Sequence, residues 1–320
     1  MKAVLLAAGI GKRLDPITKY IPKPMINICG KPIIEYIVND IVKSGFNEIC
    51  IVVGHESEQI KNYFNNYDEK IKISFVIQDE YKGTAHATYC AKDFVKNDPF
   101  LLYLSDTLIP FEINFLLNKM IKLEEISILS SENFANVSMS VGNILVEKNY
   151  VHQISEKSST LKSKLAWAGV AFFNDSSIFN IIKNLSLSTR GEYDITEAMD
   201  VMLKNDVKIR NYFCKEFIDC GTLNGLTKGL KYILNFNKRK SSFSDSLTTV
   251  NPCYIGQNCS FGKNVLLGPY SSIENNVSIG DNVEIKNSII LDNSIISSNN
   301  VISNSIISKN AIISKDDNIL

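Results

Sequence analysis

The chain has 320 residues, 45% of them apolar, enough for one large domain plus a smaller one with a sizeable buried core. Basic and acidic residues both number 34, so the formal net charge is zero; this argues against duplex nucleic acid as a main partner but leaves room for a small anion held by local cations. Seven cysteines include no CxxC pair, which argues against a disulfide framework or zinc site and suits the cytoplasm, as does the lack of a membrane-length apolar run or separate cleavage region after Ala3–Ile10.

The first 235 or so residues alternate strand-like and helix-like segments. Lys2 to Ala7 is a short apolar run followed by a glycine-bearing loop. Pro32 opens a helix whose Ile33, Ile34, Ile37, Val38, Ile41 and Val42 form one stripe, and Gly45 stops it. Glu48 to Val53 is β-branched and ends at Gly54; a polar helix follows from Glu56 to about Tyr63. A strand at Phe75–Ile77, a helix near Thr84–Val95 and a buried-type strand at Phe100–Leu104 come next, with Asp106 just past the strand's end. Asp194-Ile195-Thr196-Glu197 reads as a capping box opening a helix through Leu203. A last helix runs from about Thr222 to Phe236, followed by the basic run Lys238–Lys240 and a patternless linker at Ser241–Ser246. This alternation predicts an open α/β sheet, mostly parallel, with ligands beyond the carboxyl ends of its strands.

The period then changes. Ile255, Phe261, Leu267, Ile273, Ile279, Ile285 and Leu291 are spaced by six. A second register, from Cys259 and Val265 through Val277, Val283, Ile289, Ile295, Val301, Ile307 and Ile313, carries the same spacing further. Gly-x-Asn turns at Gly262–Asn264 and Gly280–Asn282 lie between. A six-residue repeat with one inward aliphatic per unit predicts a β-helix. The domain boundaries read from these rhythms are 1–238, a linker over 239–250, and 251–320.

The chemistry gathers at the start. A glycine turn directly after the first strand lets backbone N–H groups approach phosphates. It is not a P-loop, because Leu6 stands where the first glycine would be and Arg13 where Ser or Thr would be. It is not the dinucleotide fingerprint either, since Leu14 replaces the third glycine. What remains is a glycine turn carrying Arg13, with Lys23 fixed between Pro22 and Pro24. Two rigid cations beside such a turn suit a triphosphate. Asp106 and Asp219, each at a strand end, could hold Mg²⁺ or merely cap the following turn.

The strings LAAGIGKRLDPITKYIPKPM, GKPIIEY, QDEYKGTAHA, the strand ending in Asp106, GEYDITEA and FIDCGT resemble, in that order, the motifs of sugar-1-phosphate nucleotidylyltransferases. The likeness is strongest to glucose-1-phosphate thymidylyl- and uridylyltransferases carrying a hexapeptide-repeat domain. It implies a Rossmann-like nucleotidyltransferase domain followed by a left-handed β-helix. It further implies that Leu6, Ala7, Ala8, Gly9 and Gly11 cradle the nucleotide, that Arg13 and Lys23 bind phosphates, and that Gln78, Gly83 and Thr84 hold the base end. Asp106 and Asp219 would carry Mg²⁺; Glu156, Lys157, Gly169 and Glu192 would hold the sugar phosphate. Three residues depart from the family pattern: Ser105 for glycine, Ser158 for proline, and Lys12 for Thr or Ser.

The implied reaction joins a nucleoside triphosphate, with a pyrimidine favoured, to a sugar 1-phosphate in one displacement. A binding-only regulatory paralogue is the first alternative, which retention of Arg13, Lys23, Asp106 and Asp219 disfavours. A second is an added acyltransferase in the β-helix, which would want a histidine base; His55, His86 and His152 all lie outside it. The repeat domain is therefore expected to serve homo-oligomer packing, with neither nucleic acid nor membrane as a partner.

Overall fold

A computed structural model describes every residue except 66, 69, 111, 133–141, 157–162, 189, 237–246 and 316–320. Lys157, Ser158 and most of the expected linker lie outside the described residues.

In chain order the elements are β1 (Lys2–Ala7), β2 (Asn27–Ile28), β3 (Lys31–Pro32), α1 (Ile33–Lys43), β4 (Glu48–Val53), α2 (Ser57–Phe64) and β5 (Lys72–Ile77). Next come α3 (Thr84–Cys90), α4 (Lys92–Val95), β6 (Phe100–Leu104), β7 (Thr107–Leu108), α5 (Ile113–Lys122), β8 (Ser127–Glu132), β9 (Gly142–Glu147), β10 (Tyr150–Glu156) and β11 (Leu165–Phe173). The series closes with α6 (Ile178–Lys183), α7 (Ile195–Lys204), β12 (Arg210–Phe213), β13 (Ile218–Asp219) and α8 (Leu223–Phe236), after which only short strands follow. The chain divides into two compact units: Met1–Ile10 with Ile37–Phe217, and Gly11–Tyr36 with Ile218–Leu320.

The first unit is built on a nine-stranded sheet of order β5-β4-β1-β6-β11-β8-β12-β10-β9. Its β5, β4, β1 and β6 are parallel and in register from Lys2, which pairs with both Glu48 and Phe100. β-Branched and leucine side chains fill these strands on both faces, as a sheet covered on both sides requires. The expectation of a mostly parallel sheet fails beyond β6. There β11 is antiparallel to β6 and β8, and β10 is antiparallel to β9 and β12, while β12 alone in this half runs parallel, to β8. For β9 and β10 the cause is local: they are joined by Lys148-Asn149 with φ of 49° and 68°, a two-residue primed turn that permits only antiparallel pairing. On one face α3, α6 and α7 pack together, with Phe100 stacked on Phe173 and Phe179 at 5.1 and 5.6 Å.

In the second unit, β2 and β3 pair antiparallel around Cys29 and Gly30, whose φ values are 55° and 82°. Helix α8 buries Leu226, Leu230, Ile233 and Leu234. The repeat region forms three four-stranded parallel sheets. One stacks Leu247–Thr249, Val265–Leu267, Glu284–Lys286 and Val301–Ser303; the others begin at Cys253–Ile255 and Ser260–Phe261. These are the successive faces of a β-helix. Its corners place Asn258, Asn276, Asn293 and Asn310 at positive φ and link their amides into a ladder at 3.0–3.2 Å. Short polar side chains tolerate that left-handed backbone best after glycine.

The unbroken six-residue spacing is corrected by two slips, each a five-residue step: Ile285 to Ile290 and Ile302 to Ile307. The early pairing joins residues 18 apart (Leu267 with Ile285), and the later pairing joins residues 17 apart (Ile273 with Ile290, Ile285 with Ile302). The buried column therefore passes from Ile285 to Ile290, then to Ile296, Ile302 and Ile307. Ile295 and Val301, inward in the second register, are 45% and 65% exposed. Aliphatic doublets such as Ile289-Ile290 and Ile295-Ile296 keep an apolar residue in both registers and hide the slips. Successive strand residues face opposite ways, so a one-residue shift exchanges inside for outside. Across the described residues no helix is long and apolar enough to cross a membrane.

Candidate functional site

Within the first unit, polar and glycine positions gather around the carboxyl ends of the parallel strands. Leu6, Ala7 and Ala8 are buried at the end of β1, while a side chain at Gly9 would meet nothing within 4 Å, so the backbone there is open to a ligand. Gly54, ending β4, lies so near that an added Cβ would come within 2.8 Å of the Ala8 carbonyl and of the Tyr81 ring. Ser105 is buried, and both its N–H and its hydroxyl donate to the Leu6 carbonyl, at 3.1 and 2.6 Å. The departure from glycine is thus absorbed as a clamp between the ends of β1 and β6.

Asp106 follows, half-buried in the turn between β6 and β7. Gly169 sits at a bulge in β11, where the register against β8 shifts between Trp167 and Ala171. Its φ is 74°, and an added Cβ would meet Leu104 Cδ1 at 3.0 Å and Thr107 Oγ1 at 3.1 Å. A glycine is required there by both conformation and space, and the bulge brings it beside the residues that flank Asp106.

Gln78 is buried, and its amide nitrogen donates to the Gly83 carbonyl at 3.1 Å and lies 3.1 Å from His86 Nδ1. Gly83 has φ 94° and no room for a side chain against the Tyr193 backbone. Thr84 begins α3 and its hydroxyl accepts the Ile195 N–H. Gln78, Gly83 and Thr84 therefore form one connected loop.

Glu156 ends β10 and accepts the Thr196 hydroxyl at 2.8 Å. Arg190, which sequence reasoning missed, lies within 4 Å of three carboxylates: Asp194 at 2.5 Å, Glu192 at 3.7 Å and Glu156 at 3.8 Å. A lone arginine four residues before Asp194 in an acidic stretch was the available signal. Its capture of Asp194 also corrects the capping box: Asp194 is the N-cap of α7 but makes no side-chain cap bond. Burial and the charge of Asp194 raise the Glu197 carboxyl above its ordinary range.

In the second unit, Gly11 has φ 79°, its carbonyl accepts the Thr18 hydroxyl at 2.9 Å, and an added Cβ would collide with Thr18 and crowd Lys23. Lys23 opens a single turn with Pro22 before it and Pro24 after it, closed by the Ile26 N–H to Lys23 carbonyl bond. Arg13 Nη1 lies 3.2 Å from Asp219 Oδ2, joining residues 206 positions apart. The other carboxylate oxygen of Asp219 accepts the Gly221 N–H at 2.8 Å, so the turn-capping role and the charge pairing coexist. The arginine side chain is half exposed, and such a pair is worth about 0–1 kcal/mol, weak enough for a phosphate to displace.

Gly11, Arg13, Lys23 and Asp219 thus share one unit, and Asp106, Gln78, Gly83, Thr84, Glu156, Gly169 and Glu192 the other. All seven cysteines are free and five are buried. No group of three or more His, Cys, Asp or Glu side chains suited to a metal occurs among the described residues. Asp106, in the first unit, and Asp219, in the second, each offer hard carboxylate oxygens, the chemistry a divalent cation takes alongside phosphate and water.

Residues 2–235 match the family model described as nucleotidyl transferase, and residues 249–319 match the GMPPB C-terminal domain. The bifunctional protein GlmU of Methanococcus maripaludis is 34% identical over 217 residues, covering 67% of this chain and 50% of that protein. The low-salt glycan biosynthesis nucleotidyltransferase Agl11 of Haloferax volcanii is 30% identical over 261 residues, covering 78% of this chain and 71% of the relative. Among solved structures, UDP-glucose pyrophosphorylase complexed with UDP-glucose aligns with a TM-score of 0.68 at 26% identity, covering 74% of this chain and 99% of the other. The chain spans about half the length of the GlmU relatives. It belongs to the nucleotidyl transferase family.

Proposed function

We propose that the chain catalyses sugar 1-phosphate + nucleoside triphosphate → nucleoside diphosphate sugar + pyrophosphate, with UTP or dTTP as the nucleotide. The observation that carries this reading is the pairing of Arg13 with Asp219 in the same compact unit as Lys23. Arg13 and Asp219, from distant parts of the sequence, are thus paired in the unit that also contains Gly11 and Lys23. The relative complexed with UDP-glucose supports a pyrimidine nucleotide.

A phosphate oxygen of the sugar 1-phosphate attacks the α-phosphorus, and pyrophosphate leaves with the bonding pair. The attacking phosphate is already anionic, so no side-chain nucleophile is needed. What the protein must do is hold two anions in line and neutralise charge as it develops. Backbone N–H groups of the Ala8–Gly11 turn take the phosphates. Lys23 neutralises the α-phosphoryl group, and Arg13 exchanges Asp219 for the leaving pyrophosphate. Gln78, Gly83 and Thr84 hold the base end, while Glu156, Lys157, Gly169 and Glu192 hold the sugar phosphate. Asp106 and Asp219 are the carboxylates that would carry Mg²⁺, which when bound supplies positive charge to the phosphate oxygens.

By this reading the nucleotidyltransferase domain covers 1–238 and a left-handed hexapeptide-repeat β-helix covers 251–320, joined through 239–250. The repeat domain mediates a cytoplasmic homo-oligomer. Its outer face supports this: Ile295 and Ile312 are paired on adjacent coils and are 45% and 66% exposed. The test is a panel of triphosphates against hexose 1-phosphates with Mg²⁺ present, reading pyrophosphate release. UTP or dTTP should give turnover, and no release above background with any pair would remove the activity. Light scattering of the full chain should return more than a monomer mass; a monomer at micromolar concentration would remove the oligomer.

A further inference from the structure

The β2–β3 hairpin is the direct continuation of the turn that carries Lys23: Ile26, whose N–H bonds the Lys23 carbonyl, immediately precedes Asn27. Its two-residue tip, Cys29-Gly30, does not project into solvent. Cys29 N–H donates to Ser272 Oγ at 3.0 Å, Gly30 N–H donates to Glu274 Oε2 at 2.9 Å, and the Asn27 amide donates to Asp292 Oδ2 at 3.1 Å. Ser272 in turn donates to Glu274 Oε1 at 2.5 Å. Ser272 and Glu274 belong to one coil of the β-helix and Asp292 to the next. Tyr254, one coil below Ser272, closes over the tip so tightly that a Cβ on Gly30 would fall 2.0 Å from its hydroxyl.

Ser272 and Glu274 are fully buried. A repeat coil needs no carboxylate for its own packing, since its column is aliphatic throughout. A buried acid is costly unless a specific set of donors holds it, and among the donors here is the hairpin backbone. Both tip residues are at positive φ; the Gly30 N–H meets the carboxylate directly, and the Cys29 N–H is tied to it through the Ser272 hydroxyl.

We propose that Glu274, with Ser272 and Asp292, is a positioning element for the nucleotide-phosphate segment Gly11–Lys31, so that the repeat domain sets the placement of Lys23. This rests on the phosphate-binding role given to Lys23 above. The repeat domain then has a part in the reaction without a reacting group of its own.

The experiment uses the full chain. Ser272→Ala and Glu274→Leu remove acceptors from the coil side, and Gly30→Ala disturbs the same contact from the hairpin side while leaving the coil sequence intact. Amide hydrogen exchange over Gly11–Lys31 should accelerate about tenfold or more in each. Pyrophosphate release should fall about tenfold or more through kcat, with KM changed less than about threefold. Glu274→Gln, which keeps a carbonyl oxygen for the Gly30 N–H, should restore both readings to within about threefold. Unchanged exchange over this segment in Ser272→Ala and Gly30→Ala would overturn the proposal. Exchange is read without substrate, so a chain inactive on every substrate pair would sink the proposed reaction while still deciding whether the anchor exists.

Discussion

The glycine turn with its cations and the β-helix coils hold their backbones by opposite means. In Gly11–Lys23 the chain is tied by a few side-chain bonds, among them Thr18 to the Gly11 carbonyl and to Asp15, and Lys12 and Arg13 stand exposed. In the coils every turn repeats the same ladder bonds, such as Gly256 to Ile273 and Gly262 to Ile279, over one aliphatic column. The loop's internal backbone bonds are single short turns, such as Leu14 N–H to the Gly11 carbonyl and Lys19 N–H to the Pro16 carbonyl, and on the proposed reading the N–H groups that meet phosphate stay outside them. A coil whose bonds are all internal has nothing to offer a ligand but rigidity. Rigidity in one region is thus what the other lacks, and the Cys29-Gly30 tip is where the two are joined.

The largest expected effect lies on the loop side. Lys23→Ala and Asp219→Asn should each lower pyrophosphate-release kcat by about 10²–10³, the usual cost of losing one electrostatic contact to a developing charge. Both positions are partly exposed, so the circular dichroism spectrum and unfolding midpoint should remain near those of the unsubstituted chain. Near-full turnover in either variant would strip that residue of its role and leave the loop with no more chemistry than a coil.

These two regions were also unequally legible in the sequence. Lys23 between two prolines and the run ending at Asp219 could be singled out directly, because residue type and local spacing mark them. Strands Lys2–Ala7, Glu48–Val53 and Phe100–Leu104 were readable to the residue, as continuous apolar runs bounded by polar or glycine positions. What long-range contact decides was hidden. Arg190 draws Glu156 to Glu192 and Asp194 across the fold, and no local pattern announces that. The Lys148-Asn149 turn lacks the glycine that usually marks a primed hairpin, so the antiparallel pairing of β9 with β10 went unseen. Ser272 and Glu274 occupy places in a repeat where any small or polar residue reads as an outward position.

A comparison inside the coils tests the first one-residue slip. By the unbroken spacing Val301 points inward; in the fold it is 65% exposed, while Ile296 is 1% exposed. Ile296→Ala should destabilise by about 2–5 kcal/mol, the range for a buried isoleucine truncated in a packed column. Val301→Ala should stay within about 0.5 kcal/mol, as surface substitutions do. Chemical denaturation of the full chain followed by circular dichroism reads both. The opposite ranking would return the coil to a strict 18-residue turn and take the column through Val301.

The smallest effect concerns the carboxylate at the junction. Burial raises the Glu274 carboxyl from 4.5 to about 7, and nearby Asp292 pushes the same way; the bonds from Ser272, Gly30 and Cys29 pull against it. Below about pH 4.5 this group is protonated in both folded and unfolded chains, and its full contribution to stability is present. Between about 4.5 and 7 the folded chain keeps a proton that the unfolded chain has released, so stability falls as pH rises, and above 7 the loss is complete. Burial also raises the Asp40 carboxyl, to about 6, which slopes the same way, so only a difference is informative. The unfolding midpoint of the unsubstituted chain, minus that of Glu274→Gln, should decline from pH 5 to pH 8. Glutamine cannot ionise, so the variant lacks this part of the slope. Parallel curves would mean that the hairpin N–H groups already stabilise the carboxylate as well as water does. The loop would then be held by a charged anchor at every pH, and the coil's contribution to it would be stronger than its burial suggests.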